Sequence, residues 1–341
     1  MTTGSPPPSR GKRLVQNLAL SLGVFLLCLG GAETILRFNG YGNLELYEPD
    51  PALYWKLKPN QNCYTKIDRR PVHINSQGTR GPEFMPVKQP DTIRILSLGD
   101  SRTFGWGLAE NETYSGQLQQ LLQQQLGSSK RVEVINAGVN AWSYPQMLVY
   151  FRDTALRYQP DIVVLAEANL WTQFSEKNSP EFVRKFMSRV RLKNFLRHFA
   201  LYHYVVEVKL KAFYERQRTK FIPVDPHRDP LFKEQQQKDP EALFRSAVED
   251  LCALAFKRGA KPVLLYLPML DELDATNSPP VLKVKRDIHQ RLNVPLVELT
   301  SDIQPQGKAL YLEADPVHFN ARGNQIIARR LLETVTNLAN P

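Results

Sequence analysis

Ser101, Asp315 and His318 are the residue types of a nucleophilic triad, in the chain order Ser…Asp…His. Ser101 follows a strand-like apolar run, Ile93-Arg94-Ile95-Leu96-Ser97-Leu98, within Gly99-Asp100-Ser101-Arg102-Thr103-Phe104-Gly105. Asp315 and His318 stand far downstream in Asp315-Pro316-Val317-His318, just before a helical pattern. A neutral serine hydroxyl is a weak nucleophile, so attack on an ester carbonyl needs a base such as His318 to take its proton. Asp315 can reach the other imidazole nitrogen through a tight turn that Pro316 restricts, fixing the tautomer and stabilising the imidazolium. Each residue alone has a plainer use, since Asp100, Ser101 and Asp315 all suit helix or turn caps. They act together only if the fold brings the two stretches face to face.

From residue 91 onward the pattern is strand then helix, repeated. Apolar runs at 93–98, 132–136, 161–166, 262–267 and 294–298 predict strands. They are continuous rather than alternating, as in parallel strands covered on both faces. Helical periodicity fits 113–126, 144–157, 240–258, 280–291 and 321–338. The alternation predicts an α/β fold, a three-layer α/β/α doubly wound parallel sheet with its site beyond the carboxyl ends of the strands. Ser101 and Gly138 then fall after the first and second strands, and Asn169 after the third.

Two regions break the rhythm. Residues 37–90 are rich in Pro, Asn and Gly and predict turns and short extended pieces, a lead-in to the domain at 91–341. Residues 172–239 predict a basic helical insertion, with Phe182, Phe186, Val190, Phe195, Phe199, Tyr202 and Val206 at about helical spacing over 181–218. Eleven Lys or Arg against three Glu between Glu181 and Lys220 place +8 of the chain's net +10 there. The reading is a helical element packed on the domain with a solvated basic face, with contact to anionic lipid as the functional alternative. No nucleic-acid motif accompanies the charge, so no nucleic-acid partner is expected.

The 341 residues, 42% of them apolar, suffice for a full core. At the amino end a basic segment (1–13, with Arg10, Lys12 and Arg13) precedes an apolar stretch at 14–36. Positive charge on that side predicts a single-pass transmembrane signal anchor with a cytoplasmic tail and an exported domain. A cleaved signal peptide is the competing reading, with Gly30-Gly31-Ala32 as its site. In an exported domain Cys63 and Cys252 are free to form a disulfide, and two unpaired thiols is the plainer expectation. No His/Cys/Asp cluster has metal-ligand spacing, so neither metal nor cofactor is expected.

The blocks around Ser101, Asn136-Ala137-Gly138-Val139-Asn140, Ala166-Glu167-Ala168-Asn169 and Asp315-Pro316-Val317-His318 resemble the SGNH subgroup of GDSL-type serine hydrolases over about 91–341, the insertion excluded. Tyr47-Glu48-Pro49-Asp50 and Asn75-Ser76-Gln77-Gly78-Thr79-Arg80-Gly81 look like membrane-anchored bacterial members. The resemblance implies a flavodoxin-like sheet and catalysis by Ser101, Asp315 and His318. It implies an oxyanion hole of the Ser101 and Gly138 backbone N–H groups and the Asn169 side-chain amide. It also implies an acylated glycan or small ester substrate and a bacterial cytoplasmic-membrane location with the catalytic domain facing the periplasm. Where the family usually has Gly-x-Asn-Asp, this chain has Glu167-Ala168-Asn169-Leu170, so Glu167 could alter substrate choice or pair with Arg102. Arg102 itself suits a polar or anionic substrate, and Trp106, Trp142 and Trp171 are candidates to stack on a sugar or line an acyl pocket. The same constellation serves an esterase or an O-acyltransferase, and the altered third block keeps a catalytically degenerate glycan-binding domain in view.

Overall fold

The protein is described by a computed structural model over residues 10–66, 69–166, 179–210, 213, 239–274, 278–313 and 315–339. Its first helix, α1 (Arg10–Phe38), is long and apolar enough to cross a bilayer, and none of its residues is buried against the rest of the protein.

The lead-in forms two antiparallel hairpins of four-residue strands. In the first, β1 (Tyr47–Asp50) pairs with β2 (Tyr54–Leu57); in the second, β3 (Gln61–Tyr64) pairs with β4 (Pro71–Ile74). This stretch packs into the domain: Leu44, Tyr47, Leu53, Tyr54, Leu57, Cys63, Val72 and Ile74 are buried, most of them in one core with the sheet. Just beyond β4 the Arg80 N–H donates to the Asn136 carbonyl (3.0 Å), so the lead-in covers an edge of the main sheet.

That sheet has five strands: β5 (Thr92–Gly99), β6 (Arg131–Gly138), β7 (Ile162–Leu165), β8 (Lys261–Tyr266) and β9 (Leu296–Glu298). They lie in the order β6-β5-β7-β8-β9 and all pair in parallel. Every residue of β5 is buried, and its side chains alternate between two cores. Ile93 and Ile95 join one core, Leu96 and Leu98 the other. This is the doubly wound three-layer sandwich that the sequence predicts, with the strand order reversing between β5 and β7.

The helices follow the predicted positions with small differences. After the short turn α2 (Ser101–Phe104) come α3 (Tyr114–Leu126), α4 (Tyr144–Asp153), α5 (Pro180–Arg197) and α6 (Ala200–Tyr202). The chain ends with α7 (Pro240–Lys257), α8 (Pro280–Leu292) and α9 (Ala321–Ala339). Thr113 caps α3 by accepting from the Gly116 N–H, and proline stands in the first turn of α4, α5, α7 and α8, where its missing N–H costs nothing. α4 stops at Asp153 rather than 157, the chain tightening into a 3-10 turn at Ala155–Tyr158. α3 and α9 cover one face of the sheet, and α4, α7 and α8 the other with the lead-in.

Within the predicted insertion, α5 and α6 run into a wider π-helical stretch, His203–Leu210. The apolar face of α5 rests on the first hairpin: Phe186 stacks on Trp55 (centroids 5.3 Å apart) and lies 5.2 Å from Tyr54. Cys63 and Cys252 are buried free thiols, each pushed up to about 12 by burial, so the disulfide alternative is not realised.

Candidate active site

Gly99 and Asp100 turn the chain sharply from β5 into α2. A Cβ on Gly99 would fall 1.9 Å from Thr103 Oγ1, so only glycine admits this turn. The Asp100 carboxylate caps α2 by accepting from the Arg102 N–H (2.9 Å). Ser101 therefore stands at the carboxyl end of β5, next to the point where the strand order reverses.

His318 arrives from the segment ahead of α9. Its Nε2 lies 2.7 Å from Ser101 Oγ, and its Nδ1 lies 2.7 Å from Asp315 Oδ2. An ionised carboxylate can only accept, which assigns the ring proton to Nδ1 and leaves Nε2 to accept from the serine hydroxyl. Asp315 Oδ1 also accepts from the Val317 and His318 N–H groups at 3.0 and 3.1 Å. Burial alone would raise the Asp315 pKa, yet these bonds and the adjacent imidazole hold it below the ordinary carboxylate range. The carboxylate stays ionised and orients the ring.

Other predicted residues land in different places. Asn169, Glu167 and Trp171 lie outside the described residues. Trp142 is a core residue: its Nε1 donates to the Trp55 carbonyl (3.0 Å) and its ring packs on Tyr150. Arg102 is turned inward with its side chain 9% exposed, forking onto Asp100 and donating to the Leu267 carbonyl at 3.2 Å. That ties the ends of β5 and β8 together. Trp106 stacks on His318, ring centroids 5.6 Å apart and planes at 23°, and so forms one wall of the site.

Gly138 ends β6 with its Cα against α2. A Cβ there would fall 2.1 Å from the Phe104 nitrogen, and its N–H donates to Asn136 Oδ1 (3.0 Å). The glycine is explained by packing, and the backbone donor assigned to it from sequence is already engaged. The turn that follows holds Ala141 at φ 64°, a conformation that costs a side-chain-bearing residue about 1 kcal/mol or more.

Three supporting residues were not among the site residues expected from the sequence, although Asn136 and Arg80 lie within blocks that carry the family resemblance. Asn136 Nδ2 donates to the Thr103 carbonyl (2.8 Å). The buried Arg80 guanidinium donates to the carbonyls of Phe104, Gly105 and Leu108 at 2.6–2.8 Å, clamping the loop that carries Trp106. Lys66 places its ammonium 4.4 Å over the Trp106 ring, inside a buried cluster with Glu45, Glu207 and Arg197.

Burial, helped by the nearby Arg197 charge, pushes Lys66 down to about 7 despite the pull of Glu45 and Glu207. The unfolded chain, with lysine near its ordinary value of about 10.4, then binds more protons than the native state from about pH 7 to 10. Stability rises with pH across that window. Lys66→Met should remove the rise. The stability difference from wild type, read by urea unfolding, should change by about 1.4 kcal/mol per pH unit there. Parallel profiles would show that Lys66 stays charged in the fold.

The family profile of the GDSL-like lipase/acylhydrolases matches residues 97–326, from β5 into α9. The chain belongs to the GDSL-like lipase/acylhydrolase family. It is accordingly a hydrolase of ester bonds. No curated protein sequence matches it significantly. Solved structures that overlap this GDSL-like hydrolase include the acetyl xylan esterase AlAXEase, at 17% identity and TM-score 0.44, covering 71% of this chain and 100% of that one. TesA overlaps at 13% identity and TM-score 0.45, covering 72% of this chain and 99% of that one. Axe2, an acetylxylan esterase from Geobacillus stearothermophilus, overlaps at 13% identity and TM-score 0.43, covering 74% and 96%. Assignment to the family rests on the profile match.

Proposed function

We propose that this hydrolase is a membrane-anchored, exported serine esterase that removes O-acyl groups, chiefly acetyl, from a glycan or other envelope substrate. The observation that carries the reading is the continuous hydrogen-bonded relay Ser101–His318–Asp315 at the carboxyl ends of the sheet. In it, Ser101 Oγ attacks the ester carbonyl as its proton passes to His318 Nε2. The imidazolium so formed is stabilised by Asp315. Collapse of the tetrahedral oxyanion expels the alcohol, which takes the proton from His318 and leaves an acyl-serine. Water, deprotonated by the same imidazole, then releases the carboxylic acid and restores Ser101.

The oxyanion needs donors in place before attack. The Ser101 N–H, in the first turn of α2 where helical N–H groups lack an intrahelical partner, suits this role, with the Asn169 amide as its proposed companion. Trp106, whose ring stacks on His318 and lies under the Lys66 ammonium, can border a bound sugar with its edge. For location, Arg10, Lys12 and Arg13 in the first turn of α1, ahead of its apolar stretch, support a cytoplasmic amino end and a domain on the periplasmic side.

The test is to quench the full-length protein in detergent during turnover of an acetyl ester and to digest it for mass spectrometry. An acetyl group on the peptide carrying Ser101 is expected, together with faster release from acetyl than from long-chain esters and from O-acetylated polysaccharide. Turnover that never acylates Ser101 would remove the serine mechanism. Acetyl groups delivered to an added glycan rather than to water would make the protein an acyltransferase.

A further inference from the structure

The insertion presents a surface that catalysis does not use. The inner face of α5 is covered by the first hairpin, but its outer side and the segment after it are not. Leu192 is 59% exposed, Phe195 61%, Phe199 41% and Leu210 56%, and Val205 and Val206 are exposed beside them. Phe195 and Phe199 form an edge-to-face pair in the open (centroids 5.3 Å apart). Single exposed apolar residues are ordinary on a soluble surface, whereas a cluster within one short segment marks a contact site. Arg184, Lys185, Arg189, Arg191, Lys193 and Lys209 are exposed on the same elements. Glu207 is turned into the buried cluster, so among the described residues of 179–210 Glu181 is the one exposed acid.

The position of this surface indicates what covers it. Glu33, near the carboxyl end of α1, accepts from the Ala200 and Leu201 N–H groups, both at 2.9 Å. Arg37, one turn later, donates to the His198 carbonyl. Just past α1 the Gly42 N–H donates to His203 Nδ1 (2.8 Å). The apolar and basic side chains are thus fixed to the end of α1 where the chain leaves the apolar helix. Aromatic and aliphatic groups flanked by Lys and Arg form the composition of a helix lying in a bilayer interface, the apolar groups among the upper acyl chains and the cations at the headgroups.

We propose that α5, α6 and the π-helical stretch after them seat on an anionic lipid bilayer beside α1, as a second membrane contact. The proposal rests on the anchor reading of α1. From this contact the buried Arg197 and Glu207 lead to Lys66, Lys66 to Trp106, and Trp106 to His318, so the catalytic relay is held close above the lipid.

The experiment uses the full-length protein in vesicles of phosphatidylcholine with and without phosphatidylglycerol, some carrying brominated acyl chains that quench nearby indoles. Phe195→Trp and Leu192→Trp report on the patch, and Phe256→Trp, half-exposed on α7, serves as reference. Quenching of the two patch reporters at least about twofold above the reference, weakened by Arg189→Glu with Arg191→Glu or by omitting phosphatidylglycerol, is the expected result. Flotation after a carbonate wash reads the anchor separately. A chain that floats while its patch reporters are quenched no more than the reference keeps the anchor and overturns the proposal. A chain that fails to float but whose reporters are still quenched by added anionic vesicles retains the surface contact and loses the anchor. Neither flotation nor quenching would overturn both.

Discussion

Ser101→Ala is expected to reduce turnover of p-nitrophenyl acetate by roughly 10⁴–10⁶-fold while leaving the thermal midpoint of the protein almost unchanged. The hydroxyl's hydrogen bond in the fold is to His318 Nε2, and removing it deletes a nucleophile without opening a core. His318→Ala should fall to a similar residual rate, and the double variant to no lower, because the two groups act on one proton. Asp315→Asn should cost roughly 10⁴-fold, since an amide in place of the carboxylate can hold the imidazole in the wrong tautomer. It should also cost some stability. A carboxyl held below its ordinary range stabilises the fold at pH values above its unfolded pKa and loses that contribution as pH falls through the native value. Residual rates that differ widely between Ser101→Ala and His318→Ala, or a Ser101→Ala protein that still turns over within tenfold of wild type, would show that another group attacks the ester.

The sheet and the relay were legible in the sequence because each leaves a local mark. Ile93–Leu98 and Ile162–Leu165 read as buried strands from their apolar runs, and Thr113, Pro240 and Pro280 set helix starts through cap and proline chemistry. Ser101, Asp315 and His318 announced themselves by type and order. What supports them did not. Arg80 binds backbone carbonyls, and any loop has those, so no residue type elsewhere in the chain signals its partner. The lead-in read as a connecting region because its strands are four residues long and interrupted by left-handed positions, at Asn43 ahead of β1, at Tyr54 opening β2 and at Asn60 between β2 and β3. At that length no periodicity builds up, and burial is decided by what packs on top. Arg102 and Trp142 illustrate the opposite error. Proximity in sequence to a motif suggested substrate contact, but one side chain satisfies Asp100 and the other fills the core.

Gly138→Ala separates two roles for that glycine and should give the reverse of the Ser101→Ala result, a loss of stability along with activity. An added Cβ would meet the Phe104 nitrogen at 2.1 Å, the Thr103 carbonyl carbon at 2.6 Å and the Phe104 Cα at 2.7 Å. All three are backbone atoms of α2, so no rotamer change relieves the contact, and α2 must shift away from β6. That helix is pinned by Asn136 on the Thr103 carbonyl and by Arg80 on those of Phe104 and Gly105, and the shift strains both. Overpacking of this kind costs about 1–3 kcal/mol. Ser101 begins the same helix, and a displacement of about 1 Å at a reacting atom is enough to lower the rate about 10²-fold. A glycine needed only for its N–H would behave differently, because alanine keeps that donor: stability and kcat would both survive. Thermal unfolding and kcat measured on one preparation decide between them, and an unchanged pair of values would return Gly138 to the oxyanion hole.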